Sequence, residues 1–190
     1  MAKNPDPTLA LSTSAGVTRS LDDWTTMFHL CLVILPDRPE AARWIPVAER
    51  IFGVLGDSDA RTAYVVPSTP AIAERILESA DQKAMVFVDP DRTLINSLGL
   101  THLPAFVHIR QDTSVGAAAE GWNANEWQKV AKEISGAMAW SVPDVAPPGS
   151  TDATRVDIRN ISLSRITRVP FRCTTRGRVF PGQRAFLALK

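Results

Sequence analysis

Two cysteines, Cys31 and Cys173, carry the most reactive side chains of this 190-residue chain. Two thiols cannot form a tetrathiolate zinc site or a disulfide scaffold, so those classes are excluded. Cys31 stands between Leu30 and Leu32 in an apolar run, where a cysteine behaves as a small hydrophobic residue. Cys173 follows Arg172, whose charge favours the thiolate, but a lone cysteine in an arginine-rich segment is more often incidental.

The remaining polar candidates do not form a recognisable catalytic or metal-binding pattern. His29, His102 and His108 are dispersed, and structural roles with polar partners are favoured over metal ligation. Asp89 and Asp91 flank a proline in a pattern typical of a turn at a strand end. There is no phosphate-binding loop, dinucleotide glycine pattern or Ser-His-Asp signature. The sequence therefore predicts no catalytic residue, no metal site and no cofactor.

The elements that would position any site follow from the spacing of apolar residues. Apolar runs over 28–35 and 84–88 predict buried strands, and residues 61–66 predict another strand between them. Residues 103–109 with 114–120 predict a hairpin. Helical spacing fills the intervals, with Pro39 in a first turn and a kink at Pro46. Asn123 or Asn125 can cap the last helix. The order β-α-β-α-β-α-β-β-α predicts an α/β fold with a mixed central sheet and helices on both faces.

Charge divides the chain into two unequal parts. Residues 1–150 contain 12 basic and 18 acidic side chains, a net charge of −6, whereas 151–190 contain nine and two, a net charge of +7. We predict a flexible N-terminus (1–20), a folded domain (21–140), a proline-rich linker (141–154) and a basic, β-prone tail (155–190). The opposite charges favour packing of the tail on its own domain or on an acidic partner.

Apolar stretches are too short to cross a membrane, and no signal-peptide pattern precedes the domain. These features predict a cytoplasmic protein. Arginine outnumbers lysine by 16 to 5, and alanine is abundant, which hints at a bacterial source.

A family resemblance rests on residues 88–134, VDPDRTLINSLGLTHLPAFVHIRQDTSVGAAAEGWNANEWQKVAKEI. An acidic-proline turn leads to a short helix ending in Gly-Leu, then come Leu-Pro before a strand, a polar turn, Gly-Trp and a terminal helix. This order resembles the thioredoxin-like family, nearest its TlpA and peroxiredoxin-like branch, and the similarity extends over residues 24–136. It implies a three-layer thioredoxin-like sandwich, with the basic tail as an addition.

The resemblance also implies where a site would lie. The family carries Cys-x-x-Cys where the first strand meets the first helix, and its spacing gives those positions to Arg38 and Ala41. Leu103-Pro104 matches the family's cis-proline loop, which faces those cysteines and holds substrate backbone. We therefore expect a degenerate binding site formed by Arg38, Ala41, His102, Leu103 and Pro104, with both loops at one end of the sheet.

Three functions remain open on this sequence. The first is a redox-inactive binding or assembly protein, accessory or chaperone-like, that is not an enzyme and whose partner is another protein. The second is an atypical thiol oxidoreductase that uses Cys31 or Cys173 alone. The third is a binder of nucleic acid or an acidic partner through the tail, although Phe171 is the single aromatic residue within 155–175, which makes nucleic acid the weaker choice.

Overall fold

The computed structural model describes residues 2–80, 84–146 and 156–157. Seven strands form one sheet in the order β2-β1-β5-β4-β3-β7-β8, and β6 pairs with β9 beside it. The strands are β1 Ala10–Thr13, β2 Thr18–Ser20, β3 His29–Ile34, β4 Ala60–Val66, β5 Met85–Val88, β6 His102–Leu103, β7 Ala105–Ile109, β8 Val115–Glu120 and β9 Val156–Asp157. The helices are α1 Leu21–Thr25, α2 Ile45–Leu55, α3 Pro70–Ile76, α4 Thr93–Leu98 and α5 Ala124–Ala137, with a 3-10 helix at Pro39–Trp44.

The sheet is mixed, as the sequence predicts. β3, β4 and β5 run parallel, whereas β7 is antiparallel to β3, β8 to β7, and β1 to β5. Alternate residues of β3 enter different cores, because successive side chains of a strand point to opposite faces. Cys31 and Val33 pack with α2, α3 and α5, and Leu30 and Leu32 pack with α1 and α4. Two apolar cores therefore separate three layers.

The N-terminal residues form regular structure, whereas the sequence predicted a flexible N-terminus over 1–20. β1 and β2 form a hairpin that joins the sheet through β5, and Gly16 takes a positive φ of 84° in its turn. Leu11 is buried there, and the Trp24 indole donates to its carbonyl oxygen. Before the hairpin, the Lys3 amide donates to the Leu98 carbonyl. These strands are short and mostly polar, so their apolar pattern is too weak to identify from sequence.

Two further elements differ in detail from the sequence analysis. Pro46 does not kink a long helix, because the 3-10 helix ends at Trp44 and Pro46 lies in the first turn of α2. A proline is favoured in a first turn, where its missing N–H needs no partner. The predicted linker also begins as packed structure, since Val145 is completely buried.

Candidate functional site

The pairing of β3 with β7 brings the two predicted loops to one end of the sheet. Ile34, the last residue of β3, is opposite Ala105, the first residue of β7. The loop that follows Ile34 therefore lies beside the loop that precedes Ala105. The Leu103–Pro104 peptide bond is cis, which confirms the expectation for this proline.

The loop after β3 contains Arg38 and Ala41 in the positions that the family resemblance gives to cysteines. Arg38 has extended backbone and caps the 3-10 helix, and its carbonyl accepts from the Ala41 amide at 2.9 Å. Ala41 is completely buried. Asp37, one residue earlier, has a buried Oδ1 atom without a hydrogen-bond partner among the described residues. An unpaired buried carboxylate oxygen is costly, so this atom is a candidate acceptor for a ligand's N–H or O–H group.

Glu120 fixes the other loop from the end of β8. Its Oε2 accepts from the Thr101 amide at 2.7 Å, the Thr101 hydroxyl at 2.9 Å and the His102 amide at 3.0 Å. Burial raises the pKa of Glu120, but these hydrogen bonds outweigh burial and hold the pKa below its ordinary value. The His102 ring nitrogen Nδ1 contacts the Thr101 hydroxyl at 2.8 Å. The carboxylate thus anchors the backbone of β6.

The edge of β6 carries an added strand from the C-terminal part of the chain. β9 pairs antiparallel with β6, so that Val156 is opposite Leu103 and Asp157 is opposite His102. This pairing puts two residues of the predicted tail at the predicted site. The rest of the tail, including Cys173 and all eight of its arginines, lies outside the described residues.

Cys31 lacks the properties of a reactive thiol. It lies mid-strand in β3, completely buried, and burial raises the pKa of its thiol. A thiol must ionise and be accessible to attack a disulfide, so Cys31 meets neither requirement in the folded chain. The site end of the sheet holds no sulfur nucleophile among the described residues.

At the opposite end of the sheet, two histidines that are distant in the sequence lie in contact. His29 Nδ1 and His108 Nε2 are 2.8 Å apart, and the rings stack with centroids 5.0 Å apart. His108 Nδ1 bonds Glu133 Oε2 at 2.5 Å, and Arg110 donates to Glu133 Oε1 at 2.7 Å. We call His29, His108, Arg110 and Glu133 the histidine cluster. They confirm the expected structural role with polar partners for two of the three histidines.

Electrostatics of the histidine cluster follow from burial and from its ion pair. His108 is completely buried, which lowers its pKa despite the bond to Glu133. Burial alone raises the pKa of Glu133, but bonds from Arg110 and His108 bring it below the ordinary value. Neutral His108 and ionised Glu133 are the favoured forms near neutral pH.

Asp89 has the structural role that the sequence analysis favoured. It is almost completely buried, and its carboxylate accepts from the Thr93 hydroxyl and the Ile95 amide at the start of α4. Within the described residues, no group of three or more histidine, cysteine or acidic side chains could hold a metal ion.

Sequence reasoning identified both loops but missed Asp37, Glu120 and the strand at Val156–Asp157. A charged residue at the end of the small-residue run before Gly121-Trp122 was the available signal for Glu120. The partner strand gave only a weak signal, because two residues are too few to show a period.

No protein-family model matches the chain, and no curated protein sequence matches it either. Solved structures do match. The thiol:disulfide interchange protein DsbE from Chlorobium tepidum aligns with a TM-score of 0.60 at 16% identity, over 72% of this chain and 97% of its own. Peroxiredoxin Q from Xanthomonas campestris aligns with a TM-score of 0.56 at 12% identity, over 67% and 90%. The chain has a thioredoxin-like fold.

A third match is the exposed lipoprotein thioredoxin from Streptococcus pneumoniae, with a TM-score of 0.53 at 20% identity over 66% of this chain and 98% of its own. These thioredoxin-like neighbours are thiol-disulfide oxidoreductases and a peroxiredoxin, which are enzymes. The finding overturns our prediction that the chain is not an enzyme. At these identities the likeness establishes the fold and assigns no reaction.

The comparisons also bear on location. No helix in the described part of the chain is both long and apolar enough to cross a membrane. One neighbour is named as an exposed lipoprotein, so a cytoplasmic location for this chain stays a prediction.

Proposed function

We propose that this thioredoxin-like chain binds an extended polypeptide segment of a partner protein along β6, in an accessory or chaperone-like role. The observation that carries the proposal is the antiparallel pairing of β6 with β9, since backbone groups that pair with one strand can pair with another in its place. Main-chain hydrogen bonds give such an edge affinity for many sequences, which suits a protein that handles unfolded segments.

Two features of the site support polypeptide binding. Glu120 holds Thr101 and His102 by three hydrogen bonds, so β6 is preorganised and loses little entropy when a strand pairs with it. Asp37 adds a buried oxygen acceptor in the neighbouring loop, suited to a backbone amide or a donor side chain of the bound segment.

Hydrogen–deuterium exchange of the full chain tests the proposal with reduced, carboxymethylated α-lactalbumin, an unfolded polypeptide that has no free thiol. We expect slower exchange of the Leu103 amide when the polypeptide is bound, because Glu120 already holds the Thr101 and His102 amides and Pro104 has no amide hydrogen. The turn at 110–114, at the other end of β7, is the internal control and should not change. Protection at that turn, or at no segment, would refute binding along β6.

Asp37→Ala separates a binding role of Asp37 from a structural one. A lost hydrogen bond to a charged group weakens binding by about tenfold, whereas stability should not fall, because Oδ1 has no partner to lose and its burial is costly. Asp57→Ala, at an exposed position after α2, is the matched control and should leave the dissociation constant unchanged. Equal affinity of the Asp37→Ala and wild-type chains would remove Asp37 from the site.

A second candidate function is thiol exchange by Cys173 alone. The oxidoreductase neighbours support it, and Arg172 and Arg176 near Cys173 in sequence favour its thiolate. The thiolate would attack one sulfur of a substrate disulfide, forming a mixed disulfide and releasing the other half as a thiolate. A small-molecule thiol would then attack the substrate sulfur of the mixed disulfide, which regenerates Cys173 and carries the substrate away as a new mixed disulfide.

An insulin-reduction assay with dithiothreitol distinguishes this candidate. Turnover above the protein-free blank that is lost in Cys173→Ser and kept in Cys31→Ala would support it. Cys31→Ala is the matched control because the Cys31 thiol is buried. A rate equal to the blank would refute thiol exchange and leave polypeptide binding unaffected.

A further inference from the structure

The segment after α5 runs back along that helix, and side chains of α5 hold it there by hydrogen bonds. The Ser135 hydroxyl donates to the Ser141 carbonyl at 3.0 Å. Further on, the Gln128 side chain donates to the Pro143 carbonyl at 2.9 Å and accepts from the Val145 amide at 3.1 Å. Between Ser141 and Val145 the chain thus moves from residue 135 of α5 to residue 128, about 10 Å toward the start of the helix.

This return brings the chain back toward β6. α5 begins shortly after Glu120, whose carboxylate holds Thr101 and His102. Val145 is completely buried, so the return segment is part of the packed domain. Nine residues, 147–155, connect it to β9. A short connection between two fixed points gives the attached strand an effective concentration in the millimolar range.

We propose that β9 is a built-in competitor for the polypeptide site on β6. In the free protein β9 occupies the edge, and a partner segment binds only when β9 leaves it. The inference rests on the proposed function, because a competitor needs a ligand with which to compete. It adds a regulatory property: the protein is closed to weak ligands and opens to segments that pair better than Val156–Asp157.

The length of β9 suits displacement. The described strand has two residues, so few backbone hydrogen bonds hold it against β6. A partner segment can add a bond in the neighbouring loop, where Asp37 Oδ1 has no hydrogen-bond partner among the described residues. Short, locally held elements open at much lower cost than the central strands of a sheet.

Val156→Pro in the full chain tests the inference, because proline removes a backbone donor from the strand. Val156→Ala is the matched control, since it keeps the backbone and changes only the side chain. The probe is a fluorescein-labelled peptide of residues 151–162, TDATRVDIRNIS, measured by fluorescence anisotropy. If β9 occupies the edge of β6 in nine-tenths of the wild-type molecules, Val156→Pro should bind the peptide about tenfold more tightly than the wild type. The affinity of Val156→Ala should stay within about twofold of the wild-type affinity.

Amide exchange without added peptide gives an independent readout. The Leu103 amide should exchange faster in Val156→Pro than in the wild type, whereas the His102 amide stays bonded to Glu120; a second variant, Asp157→Pro, should behave in the same way. Equal peptide affinity and equal exchange in the wild type and both proline variants would overturn the inference. A signal that depends on protein concentration would also overturn it, because the occupying strand would then come from a second copy.

The two proposals fail in distinguishable ways. If carboxymethylated α-lactalbumin protects β6 equally in the wild type and Val156→Pro, the competitor is refuted and polypeptide binding stands. If exchange at β6 rises in Val156→Pro but neither polypeptide binds, the proposed function fails and competition fails with it.

Discussion

Gly116→Ala should destabilise the protein, although replacing glycine by alanine in a compatible backbone usually stabilises. Gly116 lies in β8 at a bulge, where the pairing shifts between His108 and Ile109. Its φ is outside the left-handed region, so alanine is not strained by the backbone. An added Cβ would instead collide with His108 Nδ1 and lie 2.9 and 3.0 Å from the two carboxylate oxygens of Glu133.

The magnitude follows from the bond that must give way. The buried His108 ring is the closest group to the new Cβ, so relief of the collision must displace the ring from the Glu133 carboxylate and break the hydrogen bond between them. A hydrogen bond to a charged group contributes about 1.5–3 kcal/mol. Alanine also reduces the conformational freedom of the unfolded chain, which offsets this loss by about 0.4–1 kcal/mol. The net loss is therefore about 1–2 kcal/mol.

Urea unfolding measures this loss, and Gly53→Ala is the matched control. With a slope of about 2 kcal/mol per molar, the midpoint of Gly116→Ala should fall by about 0.5–1 M. Gly53 lies in α2 with no atom within 4 Å of the added Cβ, so Gly53→Ala should gain about 0.5–1 kcal/mol. The two variants should shift the midpoint in opposite directions.

A double variant identifies the cause. If the collision acts through the bond between Glu133 and His108, Gly116→Ala should cost much less in a Glu133→Ala background than in the wild type. A Gly116→Ala protein as stable as the wild type, or a cost that is the same in both backgrounds, would refute the reasoning.

Three further predictions concern single side chains. Because the pKa of His108 is lowered in the fold, the unfolded chain takes up a proton first as the pH drops below 6.5, and the free energy of unfolding should fall by at most about 1.4 kcal/mol per pH unit. His108→Gln should flatten this dependence in urea titrations, and an unchanged slope would contradict the prediction. In a Cys173→Ser background, Cys31 should leave Ellman's reagent unreacted until urea unfolds the chain, and rapid native reaction would show that the thiol is accessible. Asn123→Ala should cost about 1 kcal/mol in thermal unfolding, because its side chain caps the Asn125 and Glu126 amides, whereas Asn123→Asp should retain the cap.

The order of the elements could be predicted because each central strand is apolar on both faces. β3, β4 and β5 are covered by helices on both sides, so β3, β5 and residues 63–66 of β4 are apolar at consecutive positions rather than at alternate ones. The inward positions of α5 were also readable, since Trp127, Val130, Ala131 and Ile134 recur at helical spacing and are buried.

What the sequence did not predict depends on pairing between distant segments. His29 and His108 are 79 residues apart, and only the register of β3 against β7 brings their rings together. Glu120 reaches Thr101 because β8 ends beside the loop before β7. Strand register is set by the whole sheet, so no local pattern carries this information.

The hydrogen bonds of residues 3 and 4 have a consequence for how the chain folds while it is being synthesised. Lys3 bonds Leu98, and the Asn4 side chain accepts from the Val115 amide, 111 positions later. These residues leave the ribosome long before their partners and must wait for segments that are made much later. β3 likewise waits for β7 before both its edges are paired. The nascent chain thus carries unpaired apolar strands until β8 is complete, and a fragment that stops earlier lacks partners at its beginning as well as at its end.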